Sequence, residues 1–196
     1  MKRIGYIALL VAVGLGRLIE MAISRRRQQR LMQAGVETVP ERHFRVMVLL
    51  HTNVLAAAAL EVRWLKRPFV RLLALPMALL FLAANLLRWW VIATLAEHWN
   101  VRVMDSVARG VVTHGPYRWI RHPNYVAVFL ELLALPLIHS AWLTALLGGV
   151  AHLWVLRQRI TTEEGILMAH PAYRRAMGAK PRFLPLLPIL PRWRNG

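Results

Sequence analysis

Apolar residues in this chain gather into long blocks, and basic residues fill the gaps between them. Ile4 to Ile23 is a block of about 20 residues, enough at about 1.5 Å per residue to cross roughly 30 Å of hydrocarbon. Val46 to Val62 is a second span, with His51, Thr52 and Asn53 near one end. Phe69 to Ala96 is a third and is longer than a crossing needs; Pro76 can kink it and tilt can absorb the excess. Tyr125 to Leu137 and Ala141 to Leu156 are shorter and are separated by Ile138, His139 and Ser140. Two such pieces predict a hairpin of tilted helices with Pro136 and Ser140 at its turn. The pattern therefore predicts an all-α membrane protein, a single domain over residues 1–196. Three spans occupy 1–96, and a second region, 97–196, is built around a hairpin at 125–157.

The polar intervals refine this. Arg17 and Glu20 lie at i,i+3 near the end of the first block and read as a local ion pair at the membrane interface. Ser24 to Arg45 reads as an interfacial loop, and Arg63 to Pro68 as a short basic connection. The terminal run "RFLPLLPILPRW" cannot be a regular helix, because each proline removes a backbone donor; it is expected along the membrane surface. The first block resembles a signal peptide faintly, but no small-residue cleavage site follows it, so it reads as a retained helix. "HPNY" at 122–125 and "HPAY" at 170–173 echo each other without forming a repeat.

Composition changes the picture in two ways. The chain is 57% hydrophobic yet carries a formal net charge of +17. Charge alone could suggest nucleic acid, but arginines clustered between apolar blocks read as loops facing anionic headgroups, so membrane lipid is the expected partner. The loop after the first span, the central segment and the tail hold most of the basic charge. A hairpin at 125–157 places all three on one side, cytoplasmic by the positive-inside rule, with the connection at Arg63, Lys66 and Arg67 against it. There is no cysteine, which excludes disulfides, thiolate metal sites and a cysteine nucleophile. The histidines form no ligand set in sequence, so no metal is expected.

Candidate chemistry lies on either side of the hairpin. "HGPYRWIRHPNY", His114 to Tyr125, is basic, aromatic and Pro-punctuated. After the hairpin comes "RQRITTEEGIL", with Arg157, Arg159, Glu163 and Glu164. The chain has only nine acidic residues, so an adjacent Glu pair among arginines is unexpected. It could accept hydrogen bonds from an ammonium group or act as a general base; a helix-start charge pair is the alternative. Arg88, inside the third apolar run, is a functional candidate by location. Gly115-Pro116 is turn chemistry, and His122-Pro123 can start a helix.

Together, "HGPYRWIRHPNY", an apolar hairpin, "R-x-x-x-E-E-x-x-L" and a downstream Tyr and Pro resemble the isoprenylcysteine carboxyl methyltransferase family of integral-membrane enzymes, over roughly residues 97 to 185. The resemblance implies about five transmembrane helices and S-adenosylmethionine bound from the cytosol. It places His114, Gly115, Pro116, Tyr117, Arg121, His122, Pro123 and Tyr125 on the cofactor side. Glu163 and Glu164 fall at the floor between cofactor and active site, with Arg159 nearby. Two positions depart from the family pattern: Val126-Ala127 stands where a glycine is frequent, and Ala176 where a second tail aromatic is expected. Arginine can pair with the cofactor's carboxylate, glutamate with its ammonium, and an aromatic ring with its sulfonium.

The favoured activity is methyl transfer to an oxygen of a lipophilic small molecule, a long-chain phenol, enol or carboxylate. Arg88, Arg121 or Arg159 would lower a hydroxyl's pKa. Catalytic expectations fall on Glu164 first, then Glu163, Arg159 and Arg88. Prenylcysteine carboxyl methylation and phospholipid N-methylation are the alternatives, and a lipid-binding scaffold is the non-enzymatic one.

Overall fold

A computed structural model describes residues 3–36, 44–102, 107 and 110–185. Among the described residues six α-helices run in chain order: α1 Arg3–Gln33, α2 Phe44–Trp64, α3 Arg71–Leu95, α4 Pro123–Leu137, α5 Trp142–Leu167 and α6 Pro171–Met177. No strand occurs among the described residues. Three of the helices, α1, α2 and α3 with its short 3-10 extension to His98, are long and apolar enough to cross a membrane. The protein is an all-helical integral-membrane protein. Its large exposed side chains are those that lipid would cover: Val11, Leu15 and Ile19 on α1, Leu72, Leu79 and Leu86 on α3, Leu146, Val150 and Trp154 on α5.

The expected hairpin is present, with α4 ending at Leu137 and α5 starting at Trp142. Ser140 takes a positive φ of 57° in the turn, and the Ala141 N–H donates to the Pro136 carbonyl at 3.0 Å. Glu61 of α2 fixes where α5 begins. Its carboxylate accepts from the Thr144 N–H and hydroxyl, both at 2.8 Å, and from the Leu143 N–H at 3.2 Å. Arg67 supplies the counter-charge at 2.8 Å. A carboxylate at a helix N-terminus satisfies backbone donors that have no partner within the helix. Gly148 lets α5 approach α2, since a Cβ there would stand 2.8 Å from Val54 Cγ2. Tyr6, Ala58, Val62, Leu135 and Ile138 form the core where α1, α2 and α4 meet, and the Tyr6 hydroxyl donates to the Leu135 carbonyl at 3.1 Å.

Three expectations are corrected. The interfacial loop expected from Ser24 is helical to Gln33. Ser24 is buried there, its hydroxyl donating to Asn100 Oδ1 at 2.8 Å and accepting from the Val101 N–H at 2.9 Å. Tertiary contact thus extends the helix past its apolar stretch. The Arg17–Glu20 pair is not confined to one helix surface. Glu20 bonds Arg17 and also Arg88 of α3, and Arg17 reaches Glu131 of α4 at 2.6 Å. Two cations and two carboxylates thus tie α1, α3 and α4 together, which is how buried charge is tolerated in an apolar bundle. Finally, α5 runs eleven residues past Leu156, to Leu167. Glu163 and Glu164 therefore stand near its C-terminal end, and the reading of them as a helix-start pair fails.

The "HPNY" and "HPAY" echo has a local cause. His122 and His170 are the N-caps of α4 and α6, each with proline at the first helical position, where the missing N–H costs nothing. Most of the proline-rich run after Leu184 lies outside the described residues.

Candidate active site

The segment before α4 is pinned to the tail by backbone pairing. The Arg121 N–H donates to the Pro181 carbonyl at 2.9 Å, and the His122 N–H to the Arg182 carbonyl at 3.0 Å. Lys180 Nζ adds a bond to the Tyr117 carbonyl at 2.7 Å. A 3-10 turn over Gly115–Arg118 precedes this. Gly115 has φ +57°, and a Cβ there would collide with the Thr94 side chain of α3, so the turn sits tightly on the end of that helix.

Two cavities result. One, of about 430 Å³, lies among α1, α2, α3, α4 and α5; its wall is mostly apolar, with Arg17, Glu20, Arg88 and Glu131 forming a polar patch. The other, of about 150 Å³, is bounded by Tyr117, Arg121, His122, Tyr125, Glu163 and Tyr173, among others. Trp99, Asn100, Asn124, Tyr125 and Arg159 line both. At this junction the Tyr125 hydroxyl accepts from Arg159 Nε at 2.9 Å and donates to Glu163. Arg159 also donates to the Val101 carbonyl.

Polar groups around the second cavity remain available. Arg121 Nε, Asn124 Oδ1 and Trp99 Nε1 are buried without a hydrogen-bond partner, an arrangement costly enough to point to a ligand. Burial pushes the Tyr117 hydroxyl well above its ordinary pKa, and the Glu163 charge adds to it. Burial and then Glu163 do the same for Tyr173. Both phenols are therefore neutral hydrogen-bond donors at neutral pH.

The adjacent glutamates face different surroundings. Glu163 stands on the cavity wall. Glu164 is buried behind it, bonded to His122 Nε2 at 2.9 Å and Arg182 at 2.6 Å, with Arg121 at 3.4 Å. Burial alone would raise the Glu164 pKa; the bonds from Arg182 and His122 and the charge of Arg121 more than offset it and hold the carboxyl below the usual range.

Of the residues expected at the site, Tyr117, Arg121, His122, Tyr125, Arg159 and Glu163 meet at the polar cavity. Pro116 and Pro123 are buried scaffold. Glu164 acts from behind, and Arg88 lines only the apolar cavity. His114 is exposed and lines neither. Sequence reasoning passed over Asn124, though it sits inside the R-H-P-x-Y element. It also passed over Trp99, Asn100, Lys180 and Arg182, and named the downstream tyrosine, Tyr173, only as part of the resemblance. Only position relative to the motif could have pointed to these residues.

Fold and site define a class: an integral-membrane helical protein in which an apolar chamber shares a wall with a polar cavity. The sequence model of the isoprenylcysteine carboxyl methyltransferase family matches residues 77–169, a little under half of the chain, and the resemblance carried by the motif holds. The chain is 29% identical over 155 residues to the protein YpbQ of Bacillus subtilis, covering 79% of this chain and 91% of that one. It is 32% identical over 80 residues to the protein-S-isoprenylcysteine O-methyltransferase of Schizosaccharomyces pombe, covering 40% of this chain and 34% of that one. It shares its fold with the solved structure of the eukaryotic intramembrane Ras methyltransferase ICMT, with a TM-score of 0.55 and 22% identity. That match covers 74% of this chain and 54% of the other.

Proposed function

We propose that this protein is a membrane methyltransferase that moves the methyl group of S-adenosylmethionine to an oxygen of a lipophilic small molecule. The observation that carries the reading is the shared wall of the two cavities: a polar pocket and an apolar chamber meet at Trp99, Asn100, Asn124, Tyr125 and Arg159. A charged cofactor and a greasy acceptor need two such compartments in contact.

The residues present fit the cofactor. Arg121, whose Nε lacks a partner, suits a carboxylate. Glu163 suits an ammonium group, and Asn124 and the neutral Tyr117 and Tyr173 suit the remaining polar atoms. Bound there, S-adenosylmethionine would supply an electrophilic methyl group on a sulfonium. The protein's part is alignment and exclusion of water at the junction. Glu164 holds His122 and Arg121 in place through its bonds to both. Arg159, fixed by Tyr125 and Val101, puts positive charge at the junction, where it favours an anionic acceptor oxygen. The acceptor reaches the chamber from the lipid, and the polar cavity faces the cytoplasm.

A prenylated-cysteine carboxylate is the second reading, carried by the match to the fission-yeast enzyme. Calorimetric titration of the purified protein with S-adenosylmethionine tests the cofactor. Transfer of labelled methyl groups into a membrane-lipid extract, run beside N-acetyl-S-farnesylcysteine, separates the acceptors. Absence of saturable cofactor binding would overturn the proposal.

A further inference from the structure

The apolar chamber contains polar groups that the transfer reaction, as derived above, does not use. His51 of α2 and His152 of α5 both line it. Their rings stand edge to face, with centroids 5.3 Å apart. His152 is 3% exposed, and neither of its ring nitrogens has a hydrogen-bond partner. His51 Nδ1 donates to the Met47 carbonyl at 2.8 Å. That bond fixes the tautomer and leaves Nε2 as an acceptor, buried and unpartnered. Phe129 stacks on His152 with ring centroids 6.2 Å apart, which restricts the imidazole's rotation. Unpartnered imidazole nitrogens in an apolar wall are unfavourable unless a ligand completes them.

We propose that His51 and His152 form a recognition site for a hydroxyl group on the lipophilic acceptor. The chemistry is complementary. A hydroxyl is one donor and a two-lone-pair acceptor. His51 Nε2 offers an acceptor, and a neutral His152 offers one donor and one acceptor on the same wall. A carboxylate, which only accepts, would leave His51 Nε2 unsatisfied. The site also lies in line with the junction. His152 and Arg159 are seven residues apart on α5, the same face two turns on and about 10.5 Å along the axis. Met47, which holds His51, touches Arg159 Nη1 through its sulfur at 3.0 Å. The pair is a positioning device. It selects hydroxylated acceptors over prenylated carboxylates, and in this it rests on the methyltransferase reading.

The test is direct binding to the full chain in phosphatidylcholine nanodiscs. The probes are tritiated 3-pentadecylphenol and pentadecylbenzene, which differ by one hydroxyl. The wild-type protein should bind the phenol at least about tenfold more tightly, the scale of one well-made hydrogen bond in a dry site. His152→Phe with His51→Leu should abolish that preference; His152→Asn, which keeps a donor and an acceptor, should retain part of it. No preference in the wild type, or a full preference in the double apolar variant, overturns the proposal. If the double variant does not fold, His152→Phe alone decides by the same criterion. Binding needs no cofactor. A phenol preference without S-adenosylmethionine binding would sink the transferase reading alone, and cofactor binding without the preference would sink the histidine site alone.

Discussion

Glu163 and Glu164 are neighbours in the chain and serve different partners: Glu163 bonds the Tyr125 hydroxyl on the cavity wall, while Glu164 lies behind it bonded to His122, Arg182 and Arg121. Adjacent helical residues point about 100° apart, so a single helix end supplies one group to the cavity and one to the scaffold around it.

The two Glu→Gln variants should therefore differ. Glu163→Gln removes charge from the cavity and is expected to weaken S-adenosylmethionine binding by about 1–3 kcal/mol, the scale of a hydrogen bond to a charged group, while the melting temperature changes little. Glu164→Gln leaves three cationic or basic partners without their carboxylate and is expected to lower the melting temperature first. Calorimetry and thermal melts on the same preparations separate the two. Equal effects on cofactor affinity would refute the division of labour.

Acid should expose the role of Glu164 in the fold. Its folded-state pKa lies below the ordinary 4.5. Its contribution to stability is thus fully present above that value and is lost as pH falls through the folded-state pKa. The difference in melting temperature between wild type and Glu164→Gln should shrink as the pH is lowered from 6 to about 3. A difference independent of pH in this window would mean the carboxylate's charge is not what stabilises the tail.

Much of this fold was legible because long apolar runs announce helices: the five apolar blocks became α1 to α5, three of them long and apolar enough to cross a membrane, and the hairpin turned at Ser140 as its composition implied. The motif brought Arg121, His122, Tyr125 and Glu163 to one cavity. Illegible were features set by tertiary contact. Nothing local says that α1 continues through Ser24 because Asn100 and Val101 wait for it. Nothing local says that Glu20 belongs to Arg88, 68 residues away. The expectation that Glu164 is the more important of the pair for catalysis rested on Arg157 and Arg159 being less able to neutralise it than its neighbour. Distant Arg182 and Arg121 set its surroundings instead, and the geometry moves the emphasis to Glu163.

The buried charge network predicts a non-additive pair of variants. Arg88→Met leaves Glu20 and Glu131 with Arg17 alone, a net negative charge inside the bundle, and should cost about 3–5 kcal/mol. Arg88→Met with Glu20→Met leaves the neutral Arg17–Glu131 pair and should cost less than the single variant. Thermal melts in one detergent check the order. A double variant worse than the sum of its parts would show that the network's value lies in its hydrogen-bond geometry rather than in charge balance.

Topology can be tested in a chain that has no cysteine of its own. Thr113, before the 3-10 turn, and Ala179, after α6, are both exposed. The backbone pairing of Arg121 with Pro181 and of His122 with Arg182 puts their segments at one end of the bundle. Single cysteines at these positions should react with a membrane-impermeant maleimide from the same side, the cytoplasmic one. A cysteine at Arg63, at the far end of α2, should react from the other. Labelling of Thr113→Cys and Ala179→Cys from opposite sides would remove the polar cavity altogether.

Gly115 supplies the most local prediction. Its φ of +57° is open to glycine and costs other residues roughly 1–2 kcal/mol. A Cβ there would also strike the Thr94 side chain. Gly115→Ala should therefore lower the melting temperature and weaken cofactor binding together, because the turn carries Tyr117 into the cavity wall. The steric and conformational parts can be told apart by adding Thr94→Ala, which makes room for the methyl group but does not change φ. Partial recovery of stability in the double variant is the expected outcome. Full recovery would mean the clash was the whole effect. No loss in the single variant would mean that the turn's seat on α3 does not position Tyr117.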